Sequence, residues 1–388
     1  MKVVMLTWKS FGNEDMLDAF QKNGHTVIEY PFSHTTDRND EESIRALSES
    51  LRTNAPDFLF SFNYFPVAAI TCKNMGIPYV SWIYDSPYVK MYHYSINFPT
   101  NLCFTFDKAQ YLEFHKAGIQ TIHYLPLAAN TNRLNSMRDF KLLQESKWMP
   151  KHEVSFIGSL YTERHQFFSR MDSISPYTRG YLEGLMTAQR QISGYNFIQS
   201  LLPKEILKDM QNSLPMHTGK DSVESLEYLF AQYVINRQIT ALERQDLLSA
   251  VADNFALDLY TKDEHFKMEH CTNHGPIDYY DMAPYVFKTS KINLNISLRS
   301  ILSGIPLRCF DIMGAGGFLM SNFQPDFLDY FTPGEDFVFY DTKKDLIDKI
   351  SYYLNHEDER QTIARNGLNQ IEAHHTYEHR IEEIISYL

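Results

Sequence analysis

Over the first 130 residues, short apolar runs alternate with stretches in which apolar positions recur every three or four residues. The runs at 2–7, 25–30, 57–62, 78–84, 101–105 and 121–125 predict strands, and the segments between them predict helices. Strand and helix in this repetition fold into a parallel sheet with right-handed crossovers. Such a doubly wound α/β layer binds ligands outside the carboxyl ends of its strands.

Residues 131–150 are polar, end in Trp148-Met149-Pro150 and read as a connection between domains. A second series opens with a strand at 153–158 and resumes with a strand at 256–260, a helix near 279–288 and a strand at 291–296. A helix at 306–315 and strands at 317–321 and 336–340 follow. Between about 160 and 253 no strand pattern occurs. Val223, Leu226, Phe230 and Val234 recur there at helical spacing, with Asp221 and Glu224 placed as an approximate capping box. The segment therefore predicts a helical insertion. Leu346, Ile347, Ile350, Tyr353 and Leu354 form one apolar stripe, and Ile381, Ile384, Ile385 and Leu388 another, so the tail predicts helices. The implied organisation is an N-terminal domain at 1–130, a C-terminal domain at 151–372, and a final helix at 373–388 able to return to the first domain.

Composition narrows the class. The chain has 388 residues, 44% hydrophobic and 22% charged, which suits two globular domains with sizeable cores. With 36 basic against 48 acidic residues the net charge is −12, which disfavours nucleic acid or an anionic membrane surface as a general partner. The four cysteines, Cys72, Cys103, Cys271 and Cys309, form no CxxC pair and predict reduced thiols in a cytoplasmic protein. No signal-peptide pattern opens the sequence, and no apolar run is long enough to span a membrane.

The densest chemistry lies at 303–321, SGIPLRCFDIMGAGGFLMS. Pro306 suits the first turn of a helix, and Gly316-Gly317 ends it. Free amides at the helix start, with Arg308 in the first turn, make an anion site; Asp311, three residues on, shares the same face. Diphosphate at the amides and a ribose at the carboxylate fit that pattern. The glycines follow a helix and precede a strand, the reverse of a dinucleotide-binding fingerprint.

These residues carry a resemblance. With KINLNISLRS at 291–300, AGGFLMSN at 315–322, FTPGEDFVFYD at 331–341 and HHTYEHR at 374–380, the stretch from about 288 to 377 resembles the C-terminal domain of group-1 glycosyltransferases, and more narrowly the CgeB-like spore-maturation branch. SWIYDSPY at 81–88, FDKAQYLEFHKAGI at 106–119 and YLPLAAN at 124–130 resemble the domain that accompanies that branch. The resemblance implies the GT-B architecture: two Rossmann-like doubly wound domains facing a cleft. It also implies transfer of a sugar from a nucleotide diphosphate donor, UDP-linked, to an acceptor hydroxyl on a glycan or protein. Helix-end amides and arginines would serve in place of a metal or other cofactor. Many group-1 enzymes carry two glutamates eight positions apart, the second contacting the nucleotide ribose. Ser303 and Asp311 occupy the matching positions, so the first carboxylate is replaced by a hydroxyl.

The remaining candidates follow from position. Gly158 closes the first strand of the second domain and would let a phosphate approach the backbone, while Arg164 would stabilise the departing diphosphate. Arg299 and Arg308 compete for that role. Ser303 and Gly304 line the start of the donor helix. Asp85 ends the strand at 78–84, where a carboxylate could act as base on the acceptor, and Trp82, Tyr84 and Tyr88 offer flat surfaces for sugar rings or for the core. His270 and His274 flank a Gly275-Pro276 turn and read as loop histidines before ligands. His375 and His379 have metal-chelating spacing without an HExxH pattern and read as a structural tail helix. Alternatives are a sugar-nucleotide epimerase on the same fold, or a nucleotide-sugar or glycan binding module without activity.

Overall fold

The computed structural model describes residues 1–33, 39–135, 152–162 and 166–388. They fall into two units, the first comprising 1–128, 218–225 and 375–388, the second 129–217 and 226–374.

The first unit runs β1 (Lys2–Thr7), α1 (Asn13–Lys22), β2 (Thr26–Pro31), α2 (Glu41–Asn54), β3 (Phe58–Phe62), α3 (Pro66–Met75), β4 (Tyr79–Ile83), β5 (Asn101–Thr105), α4 (Lys108–Lys116) and β6 (Ile122–Tyr124). All neighbours pair in parallel, in the order β2-β1-β3-β4-β5-β6. β3 and β4 are buried at every position, so their continuous apolar runs FLFSF and YVSWI mark strands covered on both faces. Local chemistry fixes the helix starts. Asp40 accepts a hydrogen bond from the Ser43 amide at 2.7 Å, Asp107 caps α4 in the same way, and Pro66 occupies the first turn of α3.

The second unit continues with α5 (Thr131–Asn135), β7 (His152–Ile157), α6 (Pro176–Gln189), α7 (Lys204–Ser213), α8 (Leu226–Leu229), a π-helical turn at 230–235 and α9 (Asn236–Ala252). Then come β8 (Leu257–Tyr260), β9 (Cys271–Asn273), α10 (Ala283–Thr289), β10 (Ser290–Asn295), α11 (Leu307–Gly314), β11 (Leu319–Asn322), β12 (Val338–Tyr340), α12 (Lys343–Asn355) and α13 (Glu357–His374). Its sheet is also wholly parallel, in the order β12-β11-β10-β7-β8-β9. The winding reverses between β7 and β10. The final helix, α14 (Tyr377–Ile385), belongs to the first unit, where Arg380 donates to the carbonyls of Pro126 at 2.8 Å and Leu127 at 3.2 Å.

Two local expectations change. Val223 is 81% exposed rather than part of an apolar stripe, and the Asp221–Glu224 capping box does not form. That backbone is extended instead: Ser222 bridges His93 in antiparallel fashion, the Tyr94 amide donates to the Asp221 carbonyl at 2.9 Å, and Val223 donates to Tyr92 at 3.0 Å. Glu224 turns inward to accept from the Gly219 amide. β9, with only Cys271, Thr272 and Asn273, is too short to show a period and was not expected. Among the described residues, no helix is long and apolar enough to cross a membrane.

Candidate functional site

The carboxyl ends of β7 and β10 lie side by side at the point where the second sheet reverses direction, the place where such sheets bind ligands. Gly158 follows β7, Asn295 ends β10, and α11 brings Arg308 to both. The Arg308 guanidinium donates to Asn295 Oδ1 at 3.1 Å and lies 5.4 Å from the centre of the Phe156 ring. A Cβ on Gly158 would meet its Nη2 at 2.8 Å, so any side chain there would push the guanidinium tip aside from the strand end. Among the described residues no carboxylate pairs with Arg308, and its buried Nε has no hydrogen-bond partner. An unpaired cation held beside bare backbone is a site for an anion. No side chain caps the start of α11, where the Cys309 amide donates to the Pro306 carbonyl at 2.9 Å and the amides of Leu307 and Arg308 precede it.

A second arginine, not singled out in the sequence, frames the same strand ends. Arg244 from α9 is 4% exposed, donates to the carbonyls of Ile296 and Ser159, and lies 5.3 Å from the Phe156 ring centre. Phe156 is thus flanked by two guanidinium groups. Only helix periodicity marked this stretch of sequence, and nothing in it shows which turn of α9 passes the end of β7.

Asp311 is 4% exposed, and its Oδ2 accepts a hydrogen bond from the Tyr279 hydroxyl at 2.7 Å. Burial, and then the Asp311 charge, raise the Tyr279 pKa well above its usual value, so that hydroxyl stays a donor. Burial also pushes the neighbouring Cys309 thiol up to about 12, which makes it inert packing. Ser303 and Gly304 are buried in the loop before α11, where the Ser303 carbonyl accepts from the Asp326 amide at 3.1 Å.

Arg299 is committed elsewhere. It grips the Glu243 carboxylate through Nε at 2.9 and 2.8 Å and donates from Nη1 to the Ile192 carbonyl at 2.9 Å. This pair fastens the helical insertion to the loop after β10 and removes Arg299 as a phosphate ligand. It also borders a cavity of about 400 Å³ lined by Asn196, Glu243, Ser297, Asn322 and Lys343. Arg164 lies outside the described residues.

In the first unit, Asp85 is exposed just beyond β4. Asn63, buried and at φ +58°, donates to Asp85 Oδ2 at 2.7 Å while its Oδ1 accepts from the amides of Tyr84 and Asp85 at 3.1 and 3.3 Å. The carboxylate is thus held by the end of the neighbouring strand β3. Trp82, 1% exposed, packs against Phe62 and Tyr377 and is core rather than a sugar platform. Tyr84 is half-buried, its pKa raised by burial and then by Asp85, and the Tyr88 hydroxyl donates to the Tyr64 carbonyl at 2.7 Å.

The four cysteines are free thiols. His379 completes a capping box with Thr376, and His375 Nδ1 faces the Arg380 guanidinium at 2.6 Å, so both serve the tail helix. His270 is exposed on its loop, whereas His274 joins His152 and Asp258 in a cluster described below.

Residues 237–386 match the family model described as glycosyl transferase-like. No curated protein matches the chain. Among solved structures, Anabaena Alr3699/HepE in complex with UDP-glucose is similar over 100% of both chains, with 13% identity and a TM-score of 0.58. Sucrose-phosphate synthase from Thermosynechococcus elongatus is similar over 100% of this chain and 98% of its own, with 10% identity and a TM-score of 0.54. A glycosyltransferase from Rickettsia africae gives 8% identity, coverage of 100% and 97%, and a TM-score of 0.52. The chain therefore has the two-unit α/β fold of the GT-B glycosyltransferases, with a glycosyl transferase-like segment spanning residues 237–386.

Proposed function

We propose that this protein is a glycosyltransferase that moves a sugar from a nucleoside diphosphate, UDP, to an acceptor hydroxyl on a glycan or protein. The observation that carries this reading is Arg308, a guanidinium without a carboxylate partner among the described residues, laid over Gly158 at the switch point of the second sheet. Diphosphate oxygens would satisfy its Nε and the open amides of α11, and the charge that grows on the leaving diphosphate is the largest charge change in the reaction. Arg164 is assigned to the same leaving group, and Gly158, Ser303 and Gly304 to the walls of the donor site. Asp311, which already accepts from Tyr279, is assigned to a ribose hydroxyl. Asp85, steadied by Asn63, is assigned as the base toward the acceptor.

With arginine and helix amides at the diphosphate, transfer needs neither a metal nor another cofactor. The UDP-glucose bound by Anabaena Alr3699/HepE and the family match at 237–386 support a nucleotide-sugar donor, and the motifs at 291–341 support placement in the CgeB-like branch. We assign the work to the cytoplasm, where nucleotide sugars are available to a chain with reduced thiols.

The test is incubation with a panel of UDP-, GDP- and ADP-linked sugars, following release of nucleoside diphosphate. One uridine donor should release UDP, faster with acceptor present and equally fast in EDTA. A donor that binds and is not turned over would make the protein a binding module, the reading that Ser303 in place of a carboxylate favours; a released epimerised sugar would make it an epimerase.

A further inference from the structure

Away from Arg308, three side chains of the second unit converge with the composition of a transition-metal site. Asp258 of β8 stands between two imidazoles: His152 Nδ1, at the start of β7, is 2.7 Å from one carboxylate oxygen, and His274 Nε2, just after β9, is 2.7 Å from the other. All three ligand atoms lie within 4.8 Å of one another.

A carboxylate shared by two neutral imidazoles is satisfied when each ring directs an N–H at it. His274 does so. His152 approaches the other oxygen at 2.7 Å through a buried Nδ1, in a residue 1% exposed. Two imidazole nitrogens and a carboxylate converging on one point are also the donor set of a divalent cation.

The surroundings orient the rings as ligands. The Tyr260 hydroxyl lies 3.0 Å from His152 Nε2, so that nitrogen can carry the proton and leave the Nδ1 lone pair facing Asp258. The Tyr260 ring stacks on His274 at 4.6 Å and 13°, which holds the second imidazole in place.

We propose that His152, Asp258 and His274 bind one divalent transition-metal ion, with the two-nitrogen, one-carboxylate set favouring zinc. Its fourth position opens toward solvent on the side of Asp258 and His274, which are 16% and 28% exposed. To reach tetrahedral spacing the two N···O separations open by roughly 0.5 Å, a shift the part-exposed His274 can make. The ion ties β7, β8 and the segment after β9 together, and so secures a three-residue strand at the sheet edge. It does not contact the diphosphate, so the inference stands independently of the transfer reaction.

The test uses the full chain without an affinity tag, treated with EDTA and dialysed. Titration calorimetry with Zn²⁺ should show one equivalent bound, and Co²⁺ in its place should give the intense visible bands of a tetrahedral site. His274→Ala, at a part-exposed position, should weaken Zn²⁺ at least tenfold and abolish those bands, with the far-ultraviolet circular dichroism unchanged. Tyr260→Phe, which keeps the stacking ring but removes the hydroxyl, should weaken Zn²⁺ by roughly tenfold. Absence of stoichiometric Zn²⁺ uptake by the native chain, or uptake unchanged by His274→Ala, would overturn the proposal.

Discussion

At the scale of single residues, the sequence exposed the donor-side candidates where they share one element. Arg308 and Asp311 stand three apart on α11, and that spacing alone put them on one face. Their partners stayed hidden. Asn295, Tyr279 and Arg244 come from β10, the loop before α10 and α9, and only the assembled sheet brings them in. The Tyr279 contact changes how Asp311 should be probed: alanine would orphan a buried hydroxyl and cost stability as well as affinity. Asp311→Asn keeps an acceptor there and removes the charge. It should weaken nucleotide binding by roughly 1.5–3 kcal/mol with little change in melting temperature, measured by calorimetry on both forms. Equal affinities would reduce Asp311 to a partner of Tyr279. On the acceptor side, Asp85→Asn should leave nucleotide affinity intact and lower the transfer rate by roughly 10²- to 10⁴-fold, the usual contribution of a general base. A near-normal rate would remove Asp85 from the chemistry and leave its carboxylate as a partner for Asn63.

At the scale of elements, strands buried on both faces were the most legible, because their apolar runs need no period to stand out. Helix α11 was legible for another reason. Pro306 sets its start, and after its last residue Gly316 takes φ +74°. Gly317 is equally constrained, by space: a Cβ there would meet the Phe287 carbonyl oxygen at 2.7 Å and that of Ile312 at 3.1 Å, both rigid backbone. Gly317→Ala should therefore destabilise the protein by about 1–3 kcal/mol, read from urea unfolding, by forcing α10 away from the end of α11. An unchanged midpoint would show that this junction yields. Segment 218–225 was misread for a physical reason. Val223 stands at helical spacing from Leu226, Phe230 and Val234, but backbone hydrogen bonds here go to Tyr92 and Tyr94, far away in sequence, and no local pattern records such pairing.

At the scale of the whole molecule, strand and helix alternation was enough to foretell two parallel sheets, and winding order then located the switch point at β7 and β10. What the sequence could not foretell is that 218–225 joins the first unit, since contact between distant segments leaves no periodic trace. The switch point of the second sheet is assigned to receive a nucleoside diphosphate through Arg308. Calorimetric titration of the native chain and of Arg308→Ala with UDP and with uridine tests it most directly. UDP should bind the native chain well above uridine, and Arg308→Ala should lose roughly 1.5–3 kcal/mol for UDP while its weak affinity for uridine is unchanged. Equal binding of UDP by the two forms would contradict it.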